Sequence, residues 1–175
     1  LKKFIFGWVG DTKDSKRLWE DLLTRELYEV IRNPLLATIV CNLFQSGVSI
    51  PTSEPDIYRK KIELLCGHYD HHKGVKRIVT SKSDLEQCAR IVAFEMHFNR
   101  QREARIDEIR NYLSAGLLNK RDEKFINQVI LDLVEHCNIL IPSLDDDTYG
   151  FGHLRIQEFL AAETLTADRS KDIVS

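Results

Sequence analysis

The sequence predicts a mainly α-helical protein, with a helical subdomain followed by a winged-helix subdomain that carries a short two-stranded β-hairpin. Apolar residues recur with helical spacing along most of the 175 residues, as they do in helices that bury one face. The spacing changes to that of short strands only between residues 138 and 151. Another helical stretch follows, and three helices, a hairpin and a further helix are the outline of a winged-helix unit.

Composition and charge limit the functions that are possible. Apolar residues make up 43% and charged residues 30% of the chain, which is typical of a folded globular protein and excludes disorder. The 25 basic and 27 acidic side chains leave a formal charge of -2, so overall charge does not favour nucleic acid or an anionic membrane. No apolar run reaches the roughly 20 residues that a membrane-spanning helix needs.

The cysteines indicate a reducing compartment. They are widely spaced, form no C-x-x-C pair and lie in apolar, helix-like stretches: Cys41, Cys66, Cys88 and Cys137. We therefore expect buried, reduced thiols and a cytoplasmic location. The chain begins with Leu1 and shows neither an initiator Met nor the pattern of a signal peptide, so we expect it to be a segment of a longer protein.

Prolines and capping residues define the first predicted helices. One helix begins near Asp14 or Ser15 and ends at Asn33, because a proline disfavours helical geometry at the residue before it. Asn33 then caps a second helix, which has Pro34 at its first position. This helix is apolar nearly all round, so we expect it to be buried, with Gly47 just beyond its end.

A third helix and a polar stretch complete the first half. Thr52 or Ser53 caps this helix, which ends near Gly74. The polar, basic stretch over residues 73–82 lies between two strongly periodic segments and is the predicted boundary. The predicted domains are the helical subdomain over 1–76, the winged-helix subdomain over 77–168, and a tail or linker over 169–175.

The second half begins with a capping signal and ends with a change of period. Ser83 with Glu86 matches a capping box and begins the first helix of this half. The other predicted elements are a short helix ending at Gly116, a helix over Phe125–Val134, strands over Asn138–Leu144 and Thr148–Phe151 joined by a turn of three aspartates, and a last helix from about His153 to Thr166.

Two motifs resemble those of the NACHT-type STAND NTPases, which include the NOD-like receptors. Residues 151–162 read F-G-H-L-R-I-Q-E-F-L-A-A and resemble the family pattern F-x-H-x-x-x-Q-E-F/Y-x-A-A of the winged-helix subdomain. Residues 33–36 read N-P-L-L and resemble the start of a buried helix in the family's helical subdomain. Arg155 and Ile156 depart from the Ser or Thr plus aromatic pair that the family often has there. The chain also has no P-loop motif.

The resemblance implies a regulatory role rather than an enzyme activity of this chain. It implies a switch that closes over bound ADP and swings open on exchange for ATP to permit oligomerisation, in immune or antiphage defence. His153 would contact the β-phosphate and Pro34 the adenine side, while Asn33, Gln157, Glu158 and Phe159 would support the structure. The upstream P-loop NTPase core would share the nucleotide, hold any Mg²⁺ and make the parent an ATPase. No catalytic residue or metal ligand is implied here.

Several of these residues also have simpler interpretations. His153 can cap the last helix or pack beside the hairpin, and Pro34 can be an ordinary first residue of a core helix. His68, Asp70, His71 and His72 have the spacing of metal ligands, although a solvated helix end is the simpler interpretation. The three aspartates of the predicted turn are most simply a hydrophilic hairpin tip.

Two other functions are compatible with the pattern of helices. An α-helical protein-interaction adaptor that binds no nucleotide fits the periodicity and the composition but leaves both motifs unexplained. A DNA-binding winged helix would place its third helix in the major groove. That helix carries Arg121 and Lys124 but also a larger set of acids, Asp122, Glu123, Asp132 and Glu135, which would repel the phosphate backbone.

Overall fold

Helices dominate the structure, as the sequence predicts. The computed structural model describes residues 1–10, 13–25, 27–68, 78–117, 122–144 and 147–172, with the backbone alone at residue 68 and over 167–172. Within these residues there are eight α-helices and a small three-stranded antiparallel sheet. The predicted fold class, mainly α with a winged helix, is confirmed.

The described elements form two compact units. The first is Leu1–Lys61 and the second is Ile62–Ser175. The predicted division between residues 76 and 77 stays a prediction, because residues 69–77 lie outside the described residues. The predicted end of the third helix near Gly74 lies there too, as does the possible metal cluster around His71.

The first unit begins with a helix that the sequence interpretation missed, α1 over Lys2–Val9. Next, α2 covers Lys13–Thr24, so the prediction of one continuous helix as far as Asn33 is wrong. After Thr24 the Leu27 N–H bonds to the Leu22 carbonyl at 3.1 Å, and a short 3₁₀ turn follows over Val30–Arg32. Leu27 lies in the core, and its packing outweighs the local helical pattern.

The next two helices follow their capping signals. α3 covers Pro34–Gln45, and the Asn33 side chain accepts a hydrogen bond from the Leu35 N–H at 2.9 Å. Gly47 has a φ of +69° just beyond the helix end, as predicted. α3 buries six residues, which confirms its place in the core: Leu36, Ala37, Ile39, Val40, Cys41 and Leu43. α4 covers Glu54–Glu63 and continues as a π-helical turn over Leu64–His68.

The second unit begins with the long helix α5, which covers Lys82–Phe98. Its cap is Ser81, whose hydroxyl oxygen accepts from the Asp84 N–H at 3.1 Å. The predicted capping box of Ser83 with Glu86 is therefore wrong, because the observed cap lies two residues earlier in the chain. Ser81 and Asp84 offer the same three-residue spacing, and the Ser81 hydroxyl also donates to the Asp84 carboxylate at 2.8 Å.

Three further helices complete the second unit. α6 covers Ile106–Gly116, which agrees with the predicted end at Gly116. α7 covers Glu123–Leu131 with Asp122 as its cap, and a π-helical turn follows over Asp132–His136. α8 covers Leu154–Asp172 and so extends beyond the predicted end at Thr166. α5 packs along α8, where the Thr164 hydroxyl donates to the Arg90 carbonyl at 3.3 Å.

The sheet has one strand more than the predicted hairpin. β2 covers Leu140–Pro142, which is shorter than predicted, and β3 covers Thr148–Phe151 as predicted. β1 covers Glu103–Arg105 and pairs with the other edge of β3, so the strand order is β1-β3-β2. Three residues are too few to show a period, which explains why β1 was missed. Of the aspartate turn only Asp147 is described, with a φ of 61°.

The core of the second unit encloses two polar features. Cys66 and Cys137 are both buried and free, and the thiol–thiol hydrogen bond together with burial raises the pKa of Cys66 above its ordinary value. Asp132 is fully buried, so its assignment to the exposed acidic surface of the third helix is wrong. Asp132 begins the π-helical turn and accepts hydrogen bonds from the backbone of Val79 and Thr80, whereas Glu135 of the same turn is exposed.

The end of α5 allows a direct test of backbone strain. Arg100 has a φ of 58° just beyond the helix, and the Gln101 N–H bonds back to the Met96 carbonyl at 2.8 Å, as in a Schellman motif. Because a side chain is unfavourable in this conformation, we expect Arg100→Gly to raise the free energy of unfolding by about 1 kcal/mol. Urea denaturation measures the change.

A neighbouring substitution provides the control for that test. Asn99 has a φ of -81°, which any residue adopts, so Asn99→Gly should lower stability because glycine costs more chain entropy and because the hydrogen bond from the Asn99 amide to the Glu95 carbonyl is lost. A loss of stability in both variants would contradict the strain at Arg100.

Candidate functional site

His153 occupies the position that caps the long helix α8. It directly follows β3 through Gly152, and its exposed ring Nδ1 accepts a hydrogen bond from the Arg155 N–H at 3.2 Å. The His153 carbonyl accepts from the Ile156 N–H at 2.9 Å. His153 therefore satisfies two of the N–H groups that a helix leaves without partners in its first turn.

This cap fixes the proton of the neutral imidazole. Since Nδ1 accepts a hydrogen bond, the ring hydrogen must lie on Nε2. Nε2–H is then a hydrogen-bond donor on an exposed ring at the positive end of a helix. The capping role and a role in binding an anion use different atoms of His153, so the two interpretations of this residue are compatible.

A surface depression of about 300 Å³ lies beside His153. It is formed by the loop before β1, by the ends of β2 and β3, and by the first turn of α8. The lining residues are Arg102, Glu103, Ile141, Pro142, Ser143, Gly150, Phe151, Gly152, His153, Leu154 and Gln157. The lining mixes polar and apolar side chains and includes the guanidinium of Arg102 and the imidazole of His153.

Gln157 anchors the first turns of α8 to the loop before β1. Its side chain is buried and its Nε2 donates to the Gln101 carbonyl at 2.9 Å. The Gln101 side chain in turn donates to Glu108 at 3.0 Å and accepts from the Tyr112 hydroxyl at 2.6 Å. The Arg105 N–H and then the Gln101 amide lower the pKa of Glu108 below its ordinary value. The motif glutamine is thus part of a connected polar network.

The other two motif residues of α8, Glu158 and Phe159, differ in what they contact. Glu158 makes an ion pair with Arg155 at 3.1 Å on the helix surface, and such exposed pairs contribute little to stability. Phe159 is half-buried and packs against the core of the second unit. Arg155 therefore has an acidic partner on its own helix.

Gly150 permits the close approach of β1 to β3. A Cβ atom at this position would lie 2.7 Å from the carbonyl oxygen of Arg102, closer than two such atoms can approach. Gly150 also pairs with Glu103 in the sheet. The glycine before the motif phenylalanine is therefore needed to bring the loop of Arg102 next to the start of α8.

Asn33 and Pro34 lie in the first unit. Asn33 caps α3 as described above, and the Pro34 ring is exposed. The Pro34 carbonyl accepts a hydrogen bond from the Thr38 hydroxyl at 2.9 Å. Pro34 therefore begins a core helix and still presents its ring to solvent, so both interpretations of this residue fit its geometry.

The sequence interpretation missed two residues of the second unit. Arg102 lines the depression beside His153, and only the pairing of β1 brings it there. Asp132 binds the backbone at Thr80 by accepting its N–H at 2.8 Å, a contact between residues far apart in sequence. Neither residue belongs to a motif, so no local signal could have identified it.

Comparison with protein families agrees with this geometry. Residues 55–165, more than half of the chain, match the model of the winged helix-turn-helix domain C-terminal to NACHT. The chain belongs to this family. No curated protein and no solved structure shows significant similarity to the chain.

The family assignment confirms the resemblance to the NACHT-type C-terminal winged helix. It identifies a module that follows a NACHT domain in the parent chain, and this module is not the P-loop core. In the described residues no helix is long and apolar enough to cross a membrane. The same part of the chain contains no group of three or more potential metal ligands.

Proposed function

We propose that this NACHT-associated module is the regulatory part of a cytoplasmic STAND ATPase that closes over bound ADP. The observation that supports the proposal is the cap of α8. Because His153 caps through Nδ1, it has a free Nε2–H to donate to the β-phosphate. Pro34 contributes the adenine side, and its exposed ring is compatible with such a contact.

The switch follows from a difference in affinity between two states. A ligand shifts a conformational equilibrium only as far as it binds one state better than the other. A hydrogen bond from His153 to a phosphate exists only in the closed state and contributes about 1.5–3 kcal/mol. Exchange of ADP for ATP removes this contact, and the module swings away from the nucleotide. The parent protein then oligomerises, and the oligomer signals in immune or antiphage defence. The upstream core supplies the P-loop and Mg²⁺.

The test compares two substitutions of His153 in the parent protein, to Asp and to Asn, whose side chains have nearly the same shape as each other. Asp and Asn are both strong helix caps, so His153→Asp and His153→Asn should both keep α8 intact. The aspartate carboxylate repels phosphate, whereas the asparagine amide can donate to it. We expect His153→Asp to weaken ADP binding about 100-fold, and His153→Asn about 10-fold or less.

Calorimetric titration with ADP measures both affinities, and thermal unfolding checks that each variant is folded. A structural histidine would leave the Asp and Asn variants with the affinity of the wild type. That outcome would refute the phosphate contact. A parent protein that binds no nucleotide at all would favour the adaptor function.

A further inference from the structure

Arg102 is the one cation among the described residues that line the depression beside His153. Its side chain is exposed, and within the described part of the chain it has no ion pair. Two neighbouring arginines differ in this respect. Arg105 lies 3.9 Å from Asp147, and Arg155 lies 3.1 Å from Glu158.

The backbone at Arg102 is fixed from several directions. The Schellman motif that ends α5 sets the direction of the loop at Gln101. The buried Gln157 side chain donates to the Gln101 carbonyl at 2.9 Å. On the other side, Gly150 allows β3 to pack directly against the Arg102 carbonyl. Arg102 therefore starts from a preorganised position, which reduces the entropy lost when its guanidinium binds a ligand.

We propose that Arg102 is a second phosphate-binding residue, which acts with His153 on the terminal phosphate of the nucleoside diphosphate. The proposal rests on the proposed function and extends it to a residue outside both motifs. A guanidinium presents two parallel N–H donors to the oxygens of one phosphate, while the imidazole donates a single N–H. Together the two side chains can satisfy more of the phosphate than His153 alone.

Glu103 provides an independent check that the depression beside His153 binds an anion. Its exposed carboxylate lines the same depression and opposes the binding of an anion. If the terminal phosphate binds here, removal of that charge must strengthen binding. A residue that is important only for folding would not produce this effect.

The experiment measures ADP affinity by calorimetry in the parent protein with its NACHT domain. We expect Arg102→Ala to weaken ADP binding about 10- to 100-fold. Arg102→Lys keeps the charge but loses the paired donors, so it should recover part of this loss. Glu103→Gln should strengthen binding about threefold, as expected when a repulsive charge near a partly exposed site is removed.

Arg105→Ala is the matched control. It removes an exposed arginine of the adjoining strand β1, which lies beside Asp147 and outside the depression. We expect ADP affinity to stay within about twofold, as for the loss of a distant, screened charge. An equal loss in Arg102→Ala and Arg105→Ala would mean that only general surface charge matters, and it would overturn the proposal.

The outcomes separate this proposal from the proposed function. If His153→Asp weakens ADP binding while Arg102→Ala and Glu103→Gln do not change it, the role of Arg102 is refuted and the His153 contact stands. If none of these variants changes ADP binding, both proposals fail. Thermal unfolding checks the fold, and the gain expected for Glu103→Gln cannot arise from misfolding.

Discussion

Substitution of Asp132 by alanine is expected to lower the free energy of unfolding by about 3–5 kcal/mol, as for other broken buried ionic contacts. The carboxylate has no exposed surface. It accepts hydrogen bonds from the N–H groups of Val79 at 3.2 Å and Thr80 at 2.8 Å. Removal of Asp132 leaves these part-buried donors without their partner, and a fully buried donor in that state costs about 1–3 kcal/mol.

Two side chains complete the binding of this carboxylate. Gln128 donates from its amide at 3.1 Å, and the His136 Nδ1 lies 2.7 Å from the same oxygen. Asp132 therefore connects the end of α7 to the backbone that leads into α5. Because the four contacts share one acceptor group, their loss should be cooperative.

Urea denaturation of three variants measures this contribution. Asp132→Asn keeps one oxygen acceptor but turns an NH₂ group toward backbone donors, so we expect a loss smaller than that for alanine. Glu135→Ala is the matched control, because Glu135 is an exposed acid of the same turn. It should change stability by less than about 0.5 kcal/mol. Equal small losses in all three variants would contradict the buried carboxylate.

The same group predicts a dependence of stability on pH. Burial opposes ionisation of Asp132, but hydrogen bonds from Thr80, His136 and Gln128 outweigh it and hold the pKa below its ordinary value of about 3.9. The folded state then binds this proton less readily than the unfolded state. The stabilisation is complete above the unfolded pKa and is lost as the pH falls through the lower folded pKa. Below about pH 4 the wild type should lose stability more steeply than Asp132→Asn.

Local chemistry explains which elements could be predicted. Asn33 and Pro34 specify a helix start by themselves, because a side-chain cap and a fixed φ act within a few residues. Thr148–Phe151 contains strand-forming residues and follows a polar turn, which is a local signal for a short strand. In contrast, nothing in residues 103–105 distinguishes β1 from a loop, since its pairing partner lies more than forty residues away. The break after Thr24 likewise depends on tertiary packing.

The residues of the candidate site also fall into two groups, those that the sequence could predict and those that it could not. The motif around His153 could be recognised because its residues lie within twelve consecutive positions, from the end of β3 into the first turns of α8. The partner of Gln157 could not, because Gln101 is 56 residues away. Asp132 resembled a surface acid, since the backbone groups that bind its carboxylate, at Val79 and Thr80, are 53 and 52 residues away. Sequence alone therefore locates the motif but not the residues that position it.

Substitution of Gly150 by alanine should force β1 away from β3 and lower stability by about 2–3 kcal/mol, as overpacking does in tightly packed regions. The added Cβ would lie 2.7 Å from the Arg102 carbonyl oxygen and 3.5 Å from Cγ of Glu103. The first contact is with backbone, which cannot rotate away. The strand pair must separate, and Arg102 must move with it.

Gly152→Ala is the control that makes this prediction specific. Its Cβ would lie 2.5 Å from Cδ1 of Ile141, the far end of a side chain that is 44% exposed and free to turn toward solvent. We expect a loss of less than about 1 kcal/mol there. Thermal unfolding compares the two variants, and ADP titration of the parent should show weaker binding for Gly150→Ala than for the wild type. Equal stabilities would contradict the close approach of β1 to β3. A stable Gly150→Ala variant with normal ADP affinity would show that binding does not depend on the position of Arg102.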